Sequence, residues 1–129
     1  MIVVDASVLI DALRDVPDGA ALRERLVSDE LHAPALIDYE VVSGVRRLTL
    51  SGNLAADRAE DLLTDFNDLP LHRWPGKEAL RRRAFALRNQ VSAYDAAYLA
   101  LAEALDCALV TRDGRLARSS GHDAVVELV

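Results

Sequence analysis

"MIVVDASVLID", residues 1–11, decides how the rest of the chain is read. Met1–Val4 is apolar and largely β-branched, the pattern of a short buried strand, and Asp5 closes the run. The following "ASVLIDALR" switches to helical spacing, with Val8 or Leu9 leading to Ala12 and Leu13. A carboxylate at the end of a buried strand is costly. An ionised group in apolar surroundings loses several kcal/mol or more unless it is paired or bound to a metal.

Outward from this stretch, strand and helix signals alternate. Pro17-Asp18-Gly19 is a turn that leads into a second helix, and "LHAP" (31–34) is a weak strand signal. "PALIDYEVVSGVRRLTLSG" (34–52) reads as a helix with Pro at its start, Gly52 at its end and an apolar stripe of Ile37, Val41, Val45 and Leu48. "LAADRAEDLLTDFNDL" (54–69) is amphipathic. "LPLHRWP" (69–75), bracketed by prolines, reads poorly as a strand. A helix with a basic face (76–90), an Ala-rich helix (92–105), the buried strand "CALVT" (107–111), a turn with a short helix (112–121) and a last strand "AVVELV" (124–129) complete the chain. Strands alternating with helices predict an α/β domain, a central, mainly parallel twisted sheet between helical layers, formed as one unit by residues 1–129.

The 129 residues suffice for one sizeable core; 51% are hydrophobic, 28% charged and only 5% aromatic, so aliphatic residues must fill it. A net charge of −6 is not that of a protein that binds nucleic acid by bulk charge, so such binding would need a local basic patch or metal ions. The single cysteine, Cys107, excludes an internal disulfide and reads as a small core residue. Asp5 and Asp11 interrupt the apolar N-terminus, which lacks a basic segment, and no apolar run approaches the ~18 residues of a membrane span; a cytoplasmic protein is expected.

In a parallel sheet, ligands bind beyond the carboxyl ends of the strands. Asp5 ends the first strand and Asp113 follows "CALVT" by one residue, so both belong on that rim. Asp95 opens the Ala-rich helix, and Glu40 sits in the first turns of the helix near Pro34. Each acid also has a structural reading. Asp5 or Ser7 caps the first helix, Ser92 and Asp95 form a capping-box variant, Asp113 caps the last helix, and Glu40 is a solvated helix residue. What joins the four is their common destination.

"MIVVDASVLIDAL", "APALIDYEVVSGVRRL", "SAYDAAYLALAEAL" and "ALVTRDGRLAR" together resemble the four signature blocks of PIN-domain ribonucleases, in particular the VapC-type toxins of toxin–antitoxin pairs. The resemblance covers nearly the whole chain, in the family's order and spacing. It implies a PIN-like three-layer α/β/α fold and places Asp5, Glu40, Asp95 and Asp113 as the family's acids, with Ser7 and Thr111 at its hydroxyl positions. It further implies a homodimer and a cognate VapB-type antitoxin whose C-terminal segment reaches the acidic site, often with an arginine. Leu9, Ile10, Leu13, Val42 and Leu50 either line that partner's groove or belong to the core.

Four crowded carboxylates repel one another and would take up protons unless a hard cation sits among them, and Mg²⁺ or Mn²⁺ suits all-oxygen ligands. Asp5, Asp95 and Asp113 are expected to contact the metal directly or through water, Glu40 to hold it or a water, and Ser7 and Thr111 to orient the carboxylates. The expected reaction is metal-dependent hydrolysis of RNA phosphodiester bonds. Arg112 and Arg115 flank the last acid as candidate phosphate contacts, whereas Arg81–Arg83 and Arg88 form a denser but more remote patch. His32, His72 and His122 are scattered in the sequence, which speaks against a histidine mechanism or a zinc site. Two rivals remain. One is a haloacid-dehalogenase-like phosphatase, which would want an acid where Ser7 stands and a functional lysine such as Lys77. The other is a PIN-like module that binds without catalysis.

Overall fold

The computed structural model describes residues 1–129. Its elements run β1 (Ile2–Val4), α1 (Ala6–Leu13), α2 (Gly19–Val27), β2 (Leu31–Pro34), α3 (Ile37–Leu50), α4 (Ala56–Asp68), β3 (Leu71–Trp74), α5 (Glu78–Ala86), α6 (Ala93–Leu105), β4 (Leu109–Thr111), α7 (Gly114–Ala117) and β5 (Val126–Leu128). The five strands form one sheet in the order β3-β2-β1-β4-β5, and every neighbouring pair is parallel. The expected mainly parallel sheet is thus entirely so.

β1 is central because its residues are apolar on both faces: Ile2, Val3 and Val4 are all but inaccessible. Val3 pairs with His32 on one side and Leu109 on the other. The chain passes from β1 to β2 on one side and returns much later as β4 on the other, so the strand order reverses at β1. Such a switch point opens a crevice at the carboxyl ends of the strands.

α1 packs on α2, α3 and α4, while α6 packs on β1, β2 and β4 and carries α5, so helices flank the sheet. The stripe read on α3 is real: Ile37, Val41 and Val45 are buried and Leu48 packs against the core. α1 and α3 approach closely at Gly44, where a Cβ would lie 2.4 Å from Ile10 Cδ1. Gly52 ends α3 with φ of 79°, a left-handed turn that suits glycine.

Two expectations are corrected. Pro34 does not start α3 but closes β2, past the last rung that β2 shares with β1, where no ladder N–H is required of it. "LHRW" is a strand despite its flanking prolines, because all four residues pair with β2 from Leu31↔Leu71 to Pro34↔Trp74 at the edge of the sheet, outside Pro70 and Pro75. Cys107 is half-buried and packs against the core, short of full burial.

Candidate active site

A cleft of about 720 Å³ opens at the carboxyl end of β1 and is lined by Asp5, Glu40, Asp95 and Asp113 together. Each comes from a different element. Asp5 lies just past β1 at the N-cap of α1, Glu40 in the first turn of α3, Asp95 in the first turn of α6, and Asp113 at the N-cap of α7. Their convergence has a direct geometric sign: Arg115 Nη2 stands 3.5 Å from Asp95 Oδ2 and 3.6 Å from Asp113 Oδ2, so both carboxylates face one point.

Two hydroxyls stitch the end of β1 to the turn after β4. Ser7 Oγ donates to Asp5 Oδ1 at 2.5 Å and accepts the Arg112 N–H at 3.0 Å. Thr111 Oγ1, fully buried, donates to Asp5 Oδ2 and accepts the Asp113 N–H at 3.0 Å. Asp5 also takes the Val8 N–H at 3.2 Å and so caps α1. Burial raises the Asp5 carboxyl above its ordinary range, opposed by the bonds from Ser7, Thr111 and Val8. Glu40 is likewise raised by burial and by the charges of Asp95 and Asp5, with Tyr98 pulling the other way. The cleft thus holds two carboxyls disposed toward protonation among further acids, an all-oxygen donor set that fits a hard divalent cation.

The flanking arginines divide. Arg115 is 79% exposed and lines the cleft. Arg112 does not line it. Its guanidinium is engaged by Asp11 at 2.8 Å and Asp18 at 2.7 Å, tying the turn after β4 to α1 and to the start of α2. In the remote patch, Arg83 pairs with Glu103 and Arg82 with Glu78, as on an ordinary solvated helix face.

The sequence reading did not pick out Tyr39, Ser43, Tyr94 and Tyr98, which also line the cleft. Spacing held the signal: Ser43 follows Glu40, and Tyr98 follows Asp95, by three residues, which puts each pair on one helix face. Of the apolar candidates, Leu9 is core, Leu13 packs against it, and Ile10 is buried yet lines the cleft, while Val42 and Leu50 on α3 are 46% and 70% exposed.

The histidines are less scattered than their sequence positions. His32 and His72, opposite each other on β2 and β3, stack with ring centroids 4.7 Å apart, and Glu30 stands beside both. Trp74 Nε1–H donates to His32 Nδ1 at 3.0 Å, which places the His32 proton on Nε2, 2.7 Å from Glu30 Oε1. Both ring nitrogens are therefore used, and His32 has no lone pair left for a metal. The phosphatase rival loses its parts as well. Where that chemistry wants a second acid, Ser7 donates to Asp5, and Lys77 is exposed at the start of α5, outside the cleft.

An open parallel sheet with four acids gathered beside its switch point defines a class of α/β domain whose chemistry sits at one acidic crevice. The PIN domain family model matches residues 2–121. Ribonuclease VapC12 of Mycobacterium tuberculosis is 41% identical over 129 residues, covering 100% of this chain and 99% of the relative. Ribonuclease VapC9 of the same organism is 45% identical over 129 residues, covering 100% and 98%. Among solved structures, FitAcB from Neisseria gonorrhoeae superposes with a TM-score of 0.71 at 21% identity, covering 98% of this chain and 96% of that one. M. tuberculosis VapC20, described as a sarcin-ricin loop cleaving toxin, gives 0.67 at 13%, covering 97% and 98%; at such identities the likeness is one of fold. The chain belongs to the PIN-domain family, among its VapC-type ribonuclease toxins.

Proposed function

We propose that this VapC-type ribonuclease hydrolyses RNA phosphodiester bonds with Mg²⁺ or Mn²⁺ held by Asp5, Asp95 and Asp113, with Glu40 holding the ion or a water. The observation that carries this reading is the meeting of four acids from four separate elements in one cleft. A bound divalent ion would supply a hydroxide-forming water near neutral pH and charge stabilisation at the phosphate. The chain's own part is positional. Ser7 and Thr111 fix both oxygens of Asp5, and the Asp113 cap holds that carboxylate at the start of α7. Arg115, exposed over the acids, is the phosphate contact, whereas Arg112 serves as a clamp through Asp11 and Asp18.

As the toxin of a toxin–antitoxin pair, the chain acts as a homodimer inhibited by a cognate VapB-type antitoxin. Support comes from α3, where Tyr39 at the cleft, and Val42 and Leu50 further along the same helix, stay 82%, 46% and 70% exposed. A guanidinium from such a partner would suit the acids for the reason that Arg115 already does. The test is Asp5→Asn: cleavage of cellular RNA with Mg²⁺ or Mn²⁺ should be lost while far-UV circular dichroism is retained. Undiminished cleavage would remove Asp5, and with it the proposed site, from the reaction.

A further inference from the structure

Tyr98 is 2% exposed, yet its hydroxyl lies at the wall of the acidic cleft with no hydrogen-bond partner of ordinary geometry. Buried polar atoms are nearly always paired, so an unpaired one calls for a reason. Packing alone would be served by phenylalanine, which fills the same space without a hydroxyl to desolvate. The ring comes from α6, one turn beyond Asp95, and lines the same cleft as Glu40 of α3. Glu40 is also the charge that acts most strongly on the phenol, ahead of Asp5 and Asp95. Every other acid of the cleft has a partner: Asp5 accepts from Ser7, Thr111 and Val8, Asp113 accepts from the α7 backbone, and Asp95 faces the Arg115 guanidinium at 3.5 Å. Glu40 has no such partner, and the Tyr98 phenol is the group whose hydrogen bond favours its carboxylate.

We propose that Tyr98 is a positioning residue: its hydroxyl donates to the Glu40 carboxylate and fixes which Glu40 oxygen faces the cation. The proposal rests on the reading of the cleft as a divalent-metal site. Tyr98 itself touches neither metal nor RNA. It acts through Glu40, as partners of ligating carboxylates do elsewhere, where their removal costs about 10–100-fold in metal affinity. One neutral donor to one ligand belongs at the low end of that range.

The experiment is a calorimetric titration of Mn²⁺ into the purified full chain as wild type, Tyr98→Phe, Glu40→Gln and the double variant, alongside urea unfolding of each without metal. Tyr98→Phe should weaken Mn²⁺ binding roughly 10-fold, lower the urea midpoint and leave KM for RNA unchanged. In the Glu40→Gln background, adding Tyr98→Phe should change the Mn²⁺ affinity less than about twofold, because a pair that acts as one unit is not additive. Unchanged Mn²⁺ affinity with an unchanged or higher urea midpoint would mean an idle hydroxyl and would overturn the proposal. A full loss persisting in Glu40→Gln would also overturn it, since Tyr98 would then act through something else. A wild-type chain that binds no Mn²⁺ would sink the reading of the cleft together with this step, whereas failure of Tyr98→Phe alone would leave that reading standing.

Discussion

Thr111→Val isolates the hydroxyl that joins the two central strand ends. Thr111 is fully buried, and Val has its shape, so packing is conserved and only polar contacts are lost. Two bonds go: the one donated to Asp5 Oδ2 and the one accepted from the Asp113 N–H. A hydrogen bond to a charged group contributes about 1.5–3 kcal/mol and a neutral one about 1, so the variant should lose about 2.5–4 kcal/mol at pH 7.5. With an m-value of 1–3 kcal/mol/M for a small domain, that is a fall of roughly 2 M in the urea midpoint. The larger share depends on Asp5 being charged, because the Thr111 bond favours the carboxylate and opposes the upward push of burial. The deficit must therefore shrink as pH falls through the folded-state pKa of Asp5, toward the ~1 kcal/mol of the Asp113 N–H alone. Thr111→Ser keeps the hydroxyl and should lose only a methyl, about 1 kcal/mol. Urea unfolding of the three proteins across a pH series from 7.5 down toward the ordinary 3.8 of Asp5, in EDTA, measures this. A Thr111→Val protein within 0.5 kcal/mol of wild type at pH 7.5, or a deficit that does not diminish on acidification, would refute the reasoning.

Asp113→Asn should keep the α7 cap, since an amide oxygen still accepts from the Arg115 and Leu116 N–H groups. Its urea midpoint should stay near wild type while Mn²⁺ binding and cleavage are lost, whereas Asp113→Ala should lose a further ~1 kcal/mol of stability. Arg115→Ala should reduce the salt dependence of RNA binding by about one phosphate contact, and Arg112→Ala should leave that slope alone while costing about 1 kcal/mol through the lost Asp11 and Asp18 pairs, as filter binding at several salt concentrations and urea unfolding will show. In EDTA, the stability that Asp5 and Glu40 give should fall as pH rises from their ordinary 3.8 and 4.5 through their raised folded-state values. Asp5 and Glu40 hold protons more tightly folded than their ordinary 3.8 and 4.5, so the stability they give is present below those values and lost through their raised ones. Saturating Mg²⁺ should flatten or invert that slope, and a metal-free curve that climbs over this window would contradict it.

How far the fold could be read from the sequence depended on burial. β1 and β4 announce themselves because strands covered on both faces are continuous apolar runs. β3 does not, since "LHRW" lies at the sheet edge with His72 and Arg73 exposed, and its strand character comes from pairing with β2 and from nothing local. Pro34 misled for a similar reason: proline suits a helix start and a strand end alike, and only the register with β1 decides between them. At the site, the four acids were legible as types at strand ends and helix starts. The partners of the arginines were not, because Arg112 meets Asp18 across 94 residues of chain. Nor could His32 and His72, forty residues apart, be seen to stack before the β2–β3 register was known.

Capping and cation binding were separate readings of these acids, yet in the folded chain they are compatible parts of one design. A carboxylate has two oxygens and about four lone-pair sites. Asp113 uses Oδ1 for the Arg115 and Leu116 N–H groups and keeps Oδ2 toward the cleft, where a guanidinium already meets it. Asp5 gives Oδ1 to Ser7 and Val8, which fills that oxygen, and Oδ2 to Thr111 alone, which leaves one of its sites open. Ser92 rather than Asp95 caps α6, by accepting the Asp95 N–H at 3.2 Å, so neither Asp95 oxygen is spent on the cap. All four acids sit at the N-terminal ends of α1, α3, α6 and α7, where unpaired backbone N–H groups carry partial positive charge. Worth less than about 1 kcal/mol each, those helix ends temper the repulsion without cancelling it. The residual repulsion is what would favour a cation in the cleft: a site fully neutralised by its own protein would have no use for one.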